Sequence, residues 1–162
     1  MNERFDPFVF DDRALADRLN ALMAYRAGNQ AGGEATRGGV LALRAVAEPL
    51  YPLLHAQGAC EEMDGGGLVY RLRGRGEAGL LPMMFCAHLG APGGGERMIL
   101  AQMEVLEALL ARGFMPRRDV YLAYTPDAGE GVRACARDLC ARGLRFEFVL
   151  GDGGGFADGG AL

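Results

Sequence analysis

A single histidine stands where an apolar run gives way to a glycine-rich segment. The stretch FCAHLGAPGGGER, residues 85–97, ends its apolar part at Ala87 and places His88 directly before the glycines. Metal enzymes often hold a ligand at such a strand end, and histidine is a common ligand for zinc. His88 is therefore a candidate metal ligand. The alternative is a histidine that is only hydrogen-bonded at the end of its strand.

Acidic residues follow two further apolar runs. The segment TPDAGEG, residues 125–131, carries Asp127 and Glu130, and GDGGG, residues 151–155, carries Asp152. Ligand sites in α/β sheets lie beyond the carboxyl ends of the strands, so these segments are expected to lie near one another. One histidine and several acidic residues at converging strand ends could supply the ligands of a metal site.

The elements that would position these residues alternate between strands and helices. Helical spacing of apolar residues predicts helices over 12–25, 97–112 and 131–142, and a helical segment over 40–57 that is broken near Pro49 and Pro52. Strands are predicted over 68–73, 81–87, 119–124 and 146–150. The run at 81–87 is typical of a strand covered on both faces. The run at 119–124 predicts another buried strand, and the run at 146–150 a third inner strand.

This order predicts an α/β fold, with a mostly parallel or mixed sheet flanked by helices. The chain of 162 residues suits a single domain. We expect residues 1–39 to form an N-terminal helix and loop and residues 40–162 to form the α/β core.

Composition excludes several function classes. The net charge is −4, all 17 basic residues are arginines and they form no concentrated patch, so no nucleic-acid partner is expected. The sequence has no serine and no G-x-x-x-x-G-K-[ST] motif, which argues against a serine nucleophile and a phosphate-binding loop. No apolar run approaches the length of a membrane span, and the acidic N-terminus does not resemble a signal peptide. We expect a cytoplasmic protein that does not bind membranes.

The four cysteines match neither a zinc knuckle nor a disulfide framework, which favours reduced thiols. Cys135 and Cys140 are five residues apart on a predicted helix and are not expected to share a face. Cys86 lies two residues from His88 but inside an apolar run. Structural burial is therefore the favoured interpretation of Cys86, and a nucleophile is the alternative.

Four segments resemble, in order, the M20 metallopeptidases, and most closely the branch of carboxypeptidase S and related N-acyl amino acid hydrolases. They are YPLLHA (51–56), LVYRLRGRGEAGLLPMMFCAHL (68–89), EVLEALLARGFMPRRDVYLAY (104–124) and LRFEFVLGDGGGF (144–156). The resemblance implies the N-terminal part of a zinc-peptidase catalytic domain. It also implies the family reaction, hydrolysis of amide bonds next to a free carboxylate, with two bridged zinc ions and a glutamate as general base.

The resemblance places His88 at the family's first metal ligand, but Gly90 stands where the aspartate of the "HxD" motif belongs. Gly94 and Gly95 occupy the positions of the "DDK" aspartates, one of which bridges the two metals in the family. His55, in the YPLLHA segment, matches a histidine that the family does not use as a ligand. The first half of the implied site thus keeps a single ligand.

The family's "DEE" motif reads Asp127-Ala128-Gly129 here, so both glutamates are replaced and Glu130 follows one position late. Gly151 stands at the aspartate that opens "DEGG", and Asp152 stands at its glutamate. The family's last histidine ligand, its lid domain and the second half of its catalytic domain have no counterpart in these 162 residues. A shift of the alignment by one residue would bring Asp152 and Glu130 together with His88 as three ligands of a single metal, without a general base or a bridging carboxylate. Zinc is the implied cofactor, and weak or absent binding is expected.

Three hypotheses about function remain open at this point. The first is an M20-like catalytic-domain fragment that is inactive by itself. The second is a non-catalytic binding or assembly module, and the third is one piece of a split enzyme. For the last two we expect an exposed sheet edge that a second copy or a complementary chain covers.

Overall fold

The computed structural model describes residues 13–14, 16–21, 43–45, 47–89, 95–126, 129–151 and 156–157. Helix α1 comprises residues 13–14 and 16–21, and α2 comprises residues 43–45 and 47–50. The remaining helices are α3 (Pro52–Gln57), α4 (Gly95–Ala111) and α5 (Glu130–Ala141). The strands are β1 (Gly58–Met63), β2 (Gly67–Leu72), β3 (Met83–His88), β4 (Val120–Thr125), β5 (Phe148–Gly151) and β6 (Phe156–Ala157).

The strands form one mixed sheet in the order β1-β2-β4-β3-β5-β6. Strand β3 pairs in parallel with β4 on one side and with β5 on the other. The pairs β1–β2, β2–β4 and β5–β6 are antiparallel. The predicted α/β class with a mixed, helix-flanked sheet is confirmed, and the parallel core β4-β3-β5 brings three carboxyl ends to one edge.

The sequence reading missed two strands. Residues 58–63, GACEEM, form the edge strand β1, although their polar residues give no strand signal; a sheet edge tolerates charged side chains because one side of it faces water. The turn to β2 requires positive φ at Gly65 and Gly66, which are 81° and 77°. Strand β6 has only two residues, too few for a periodic pattern.

Apolar side chains pack on both faces of the sheet. On one face, Val120, Leu122 and Tyr124 of β4 join buried residues of α2, α3 and α4. On the other face, Tyr121 and Ala123 pack with Cys135 and Leu139 of α5. The predicted apolar stripe of α4 (Ile99, Met103, Leu106 and Leu110) is fully part of the first cluster. Strand β4 is therefore the centre of the core.

Burial falls steeply across the sheet. All six residues of β4 and five of the six in β2 are buried. Five of the six residues of β3 are only half-buried, and β5 alternates between exposed and half-buried. The prediction that the run at 81–87 is covered on both faces is wrong, because β3 is mostly half-buried and, among the described residues, α5 packs mainly against β1, β2 and β4. The predicted inner position of the strand at 146–150 is confirmed, since β5 lies between β3 and β6.

Ion pairs and hydrogen bonds link separate elements, and arginine is the cation of these ion pairs. Arg142, after α5, binds Asp138 and reaches Glu61 on β1 at 2.5 Å. Arg71 of β2 donates two hydrogen bonds to Asp119, whose other oxygen accepts the Gly74 N–H at 2.9 Å. Glu107 of α4 accepts the N–H groups of Leu53 and Leu54 at the start of α3, at 2.9 and 2.8 Å.

Within the described residues, none of the helices combines the length and the apolar character that crossing a bilayer requires.

Candidate functional site

The parallel pairing places His88 at the carboxyl edge of the sheet. His88 is the last residue of β3, stands in register with Thr125 at the end of β4, and is half-buried. The N–H of Leu89 donates to the Thr125 carbonyl at 2.8 Å and extends the pairing by one residue. Thr125 is almost completely buried, so very little of its side chain is accessible at this edge of the sheet.

Strand β5 ends at the same edge one step away. Cys86 of β3 is in register with Gly151, and its thiol lies 3.5 Å from the Leu150 carbonyl oxygen. A Cβ at Gly151 would lie 3.5 Å from the Cys86 sulfur, an ordinary contact distance. Cys86 also packs against the cluster that contains Cys135, where burial raises the pKa of the Cys135 thiol to about 11. These contacts are those of packing residues, as the sequence reading favoured for Cys86.

Glu130 begins α5 and faces solvent. Its carboxylate accepts hydrogen bonds from Arg137 at 2.6 Å and from Arg133 at 3.3 Å, both on the same helix. These bonds, with that of Arg137 the stronger influence, lower the pKa of Glu130 below its usual value. The carboxylate is thus charged and engaged by two guanidinium groups, which compete with any metal for its oxygens.

Asp152 and Asp127, the other acidic residues of the predicted site, lie outside the described residues, as do Gly90 and Gly94, whereas Gly95 is the buried first residue of α4. Among the residues that the structure does describe, no group of three or more His, Cys, Asp and Glu side chains could hold a metal ion. The described part of the site therefore does not fit the three-ligand set of a catalytic zinc.

The sequence reading missed one acidic residue near this edge. Glu96, in the first turn of α4, is 6 % exposed, and α4 packs against β3. A carboxylate near the N-terminus of a helix is stabilised by the unpaired N–H groups and by the helix dipole. The signal that would reveal it is a glutamate directly after the glycine run, at the start of a long amphipathic helix.

His55 is held inside the protein by two hydrogen bonds. Its Nδ1 donates to the Tyr51 carbonyl at 3.1 Å, and its Nε2 accepts the Tyr70 hydroxyl at 3.3 Å. The His55 and Tyr70 rings meet edge to face at 5.3 Å between centroids. Both ring nitrogens are therefore engaged in hydrogen bonds within the protein.

An apolar groove lies on the α4 face of the sheet. A groove of about 660 Å³ runs between α4 and the half-covered strands β3 and β5, and its lining is almost entirely apolar. Strand residues such as Met83 and Phe85 form its floor, and Met98 and Val105 of α4 form one wall. The sequence reading did not find this groove, because it depends on which part of the sheet the helices leave uncovered.

No family model matches the sequence, and no curated protein sequence matches it. Solved structures do match. LapB from Legionella pneumophila superposes with a TM-score of 0.62 at 14% identity, over 87% of this chain and 42% of its own. A tripeptidase from Staphylococcus aureus superposes with a TM-score of 0.58 at 13% identity, over 89% of this chain and 44% of its own. AtUAH in complex with (S)-hydroxyglycine gives 0.55 at 18% identity, over 74% and 29%.

The chain therefore spans less than half the length of the solved proteins that it resembles. At these identities the likeness concerns the fold. The described residues therefore share their fold with part of these solved proteins, one of which is a tripeptidase.

Proposed function

We propose that this chain is a catalytic-domain fragment of an M20-type amide hydrolase that does not hydrolyse amides by itself. The fold likeness and the four resembling segments support the origin. The carboxypeptidase S-like branch rests on those segments alone. The family reaction, zinc-dependent cleavage of an amide bond next to a free carboxylate, is the activity from which the chain derives.

The state of Glu130 is the observation that carries the loss of catalysis. It follows the Asp127-Ala128-Gly129 segment, one position after the two places of the family's glutamates, and it lies on the exposed face of α5, where Arg133 and Arg137 bind its carboxylate. A general base for a metal-bound water needs a free carboxylate with a pKa near the working pH. The pKa of Glu130 is lowered instead. His88 is then the one metal-ligand position of the family that the chain keeps. It lacks the further ligands that a zinc ion needs, and zinc binds weakly or not at all.

Zinc content tests this proposal. Wild type and His88→Ala, purified without chelator and then equilibrated with excess Zn²⁺ and desalted, are compared by elemental analysis. We expect no difference between the two, since one histidine cannot retain zinc through desalting. One zinc per chain in the wild type, lost in His88→Ala, would overturn the proposal.

The hydrolysis of N-acylated amino acids is assayed in parallel. Glu130→Gln serves as the matched variant, because it removes the charge of the candidate ligand and leaves the helix start in place. Zinc-dependent turnover that disappears in Glu130→Gln would also contradict the proposal.

A second candidate function is that of a binding or assembly module. The half-covered strands β3 and β5 favour it, since they expose apolar surface that a packed domain normally buries. In this role the sheet is completed by a second copy or by a complementary chain that covers an exposed edge. A complementary chain that also supplied the missing ligands would make the protein one piece of a split enzyme.

A further inference from the structure

The amino ends of the parallel strands lie at an edge of the sheet where arginines from three separate segments come together. Four residues stand side by side across β2, β4, β3 and β5 and mark this edge: Leu72, Val120, Met83 and Phe148. The segments 73–77, 116–119 and 145–147 adjoin this line of residues. They are far apart in the sequence, so their proximity follows only from the strand pairing. The amino edge is opposite the carboxyl edge, at which His88 lies.

Close backbone contacts hold the three segments in place. The N–H of Arg75 donates to the Pro116 carbonyl at 2.8 Å. A Cβ at Gly74 would lie only 2.3 Å from the carbonyl carbon of Arg118, so only glycine allows this approach of the two segments. The guanidinium of Arg118 in turn binds the carboxylate of Glu147 in the third segment. The amino edge is therefore organised before any ligand arrives, which lowers the entropic cost of binding.

The carboxylates of this edge engage only half of its arginines. Residues 71–77, 117–119 and 145–147 include six arginines and three carboxylates. The ion pairs are Arg71–Asp119, Arg117–Glu77 and Arg118–Glu147. The other three arginines, Arg73, Arg75 and Arg145, are exposed and form no ion pair with the described residues. The edge thus carries an excess of positive charge in a chain whose net charge is −4.

Charge complementarity at this edge favours an anionic ligand that extends along it. From β2 to β5 the edge spans three strand spacings, about 14 Å. Each carboxylate already present engages a single arginine, so an acidic peptide would have to place three separate carboxylates along this length. A chain of phosphate groups carries adjacent charges without spacers, and the planar guanidinium group binds phosphate oxygens through two parallel hydrogen bonds. A linear phosphate chain therefore fits the edge better than an acidic peptide.

We propose that the amino edge of the sheet binds linear inorganic polyphosphate, and that Arg73, Arg75 and Arg145 contact it. The three side chains are exposed, so the attraction is electrostatic and weakens as salt is added. The proposal goes beyond the proposed function, and it uses none of the residues that the zinc and hydrolysis experiments change. Those experiments and the one below therefore fail independently.

Calorimetric titration of the full chain with a short linear inorganic polyphosphate tests the proposal from about 20 to about 200 mM NaCl. The logarithm of the association constant should fall by about 2 for each tenfold rise in salt, since each of the three contacts releases about 0.7 of a counterion. Arg73→Gln, Arg75→Gln and Arg145→Gln should each weaken binding by about threefold, as exposed charge pairs do. The triple variant should weaken it by about 30-fold.

Arg97→Gln is the matched control, because it removes the same charge from another exposed arginine without an ion pair among the described residues. Arg97 lies near the start of α4, about 21 Å along the helix from its end at Ala111. This distance exceeds the screening length of about 10 Å at 100 mM salt, so at that salt Arg97→Gln should leave the association constant within about 1.5-fold.

A wild type that does not bind polyphosphate at the lowest salt overturns the proposal. So does an Arg97→Gln variant that loses as much affinity as Arg75→Gln, because net charge and not the amino edge would then govern binding. Poly-glutamate or a single-stranded oligonucleotide of matched charge that binds more tightly than polyphosphate would also overturn it, since the ligand would then be another polyanion. Circular dichroism checks that each variant remains folded.

Discussion

Two tyrosines in the core show how the same side chain has opposite effects on stability. The Tyr70 hydroxyl donates to His55, whereas the Tyr124 hydroxyl is buried with no hydrogen-bond partner among the described residues. The two rings lie 6.0 Å apart, in the same apolar cluster. Burial raises the pKa of both hydroxyls. Both groups therefore stay protonated, and the difference between them is the partner.

Removal of each hydroxyl should change the free energy of unfolding in opposite directions. Tyr124→Phe is expected to stabilise by about 1 kcal/mol, because an unsatisfied buried hydroxyl disappears. Tyr70→Phe is expected to destabilise by about 1 kcal/mol, because the Nε2 of His55 loses its donor. Urea unfolding at neutral pH measures both, and each variant is the control for the other. Equal effects of the same sign would contradict this account of Tyr124.

Helix α3 is short and depends on a neighbour for its start. It has six residues, and Tyr51, which precedes it, provides no side-chain cap. The carboxylate of Glu107 on α4 caps the helix instead, because it accepts hydrogen bonds from two N–H groups at the beginning of α3. An acceptor at this place satisfies donors that have no partner within the helix. The register between α3 and α4 is thereby fixed through one carboxylate.

Glu107→Ala should lower the free energy of unfolding by about 1–2 kcal/mol, the usual cost of losing a helix cap. Glu107→Gln should cost less, because one amide oxygen still accepts a hydrogen bond. Hydrogen exchange at Leu53 and Leu54 is the direct readout, and both amides should exchange faster in the alanine variant. Unchanged exchange at these two residues would show that the cap has no role.

Elements differ in how well the sequence predicts them, and the reason is burial. Helix α4 was placed within two residues at its start and one at its end, since a strong apolar stripe of a long helix is unambiguous. Strand β1 was missed because GACEEM has no apolar alternation. The run LPMMFCA is predicted to be covered on both faces. Its apolar composition does not reveal, however, whether other elements of the fold pack on both sides of the strand. The position of His88 at a strand end was predictable, and the arginines that hold Glu130 were visible only once the helix face was known.

At the scale of the whole molecule, stability is distributed unevenly across the sheet. The β1-β2-β4 side lies under α5 on one face, whereas β5 remains exposed at alternate residues. Local opening requires less free energy where fewer apolar contacts have to be broken. We therefore expect the β1-β2-β4 half of the domain to resist local opening more strongly than the half that contains β5, with β3 between the two.

Hydrogen exchange in dilute solution should reflect this division. Amides of β2 and β4 are expected to exchange only through global unfolding, and amides of β5 at least about 100-fold faster, through local opening. Mass spectrometry of peptides from the two halves measures the difference. Equal protection of β5 and β4 in the dilute protein would contradict the proposed division.

The exclusive use of arginine has a consequence for behaviour in alkali. Each ion pair that links separate elements, such as Arg71–Asp119 and Arg142–Glu61, has a guanidinium as its cation. Guanidinium groups keep their proton throughout the range in which lysine amines lose theirs. These ion pairs therefore keep both of their charges as the solution becomes basic. The fold should tolerate strongly alkaline media, and the first alkaline damage should begin at its ionising thiols and phenols and not at its ion pairs.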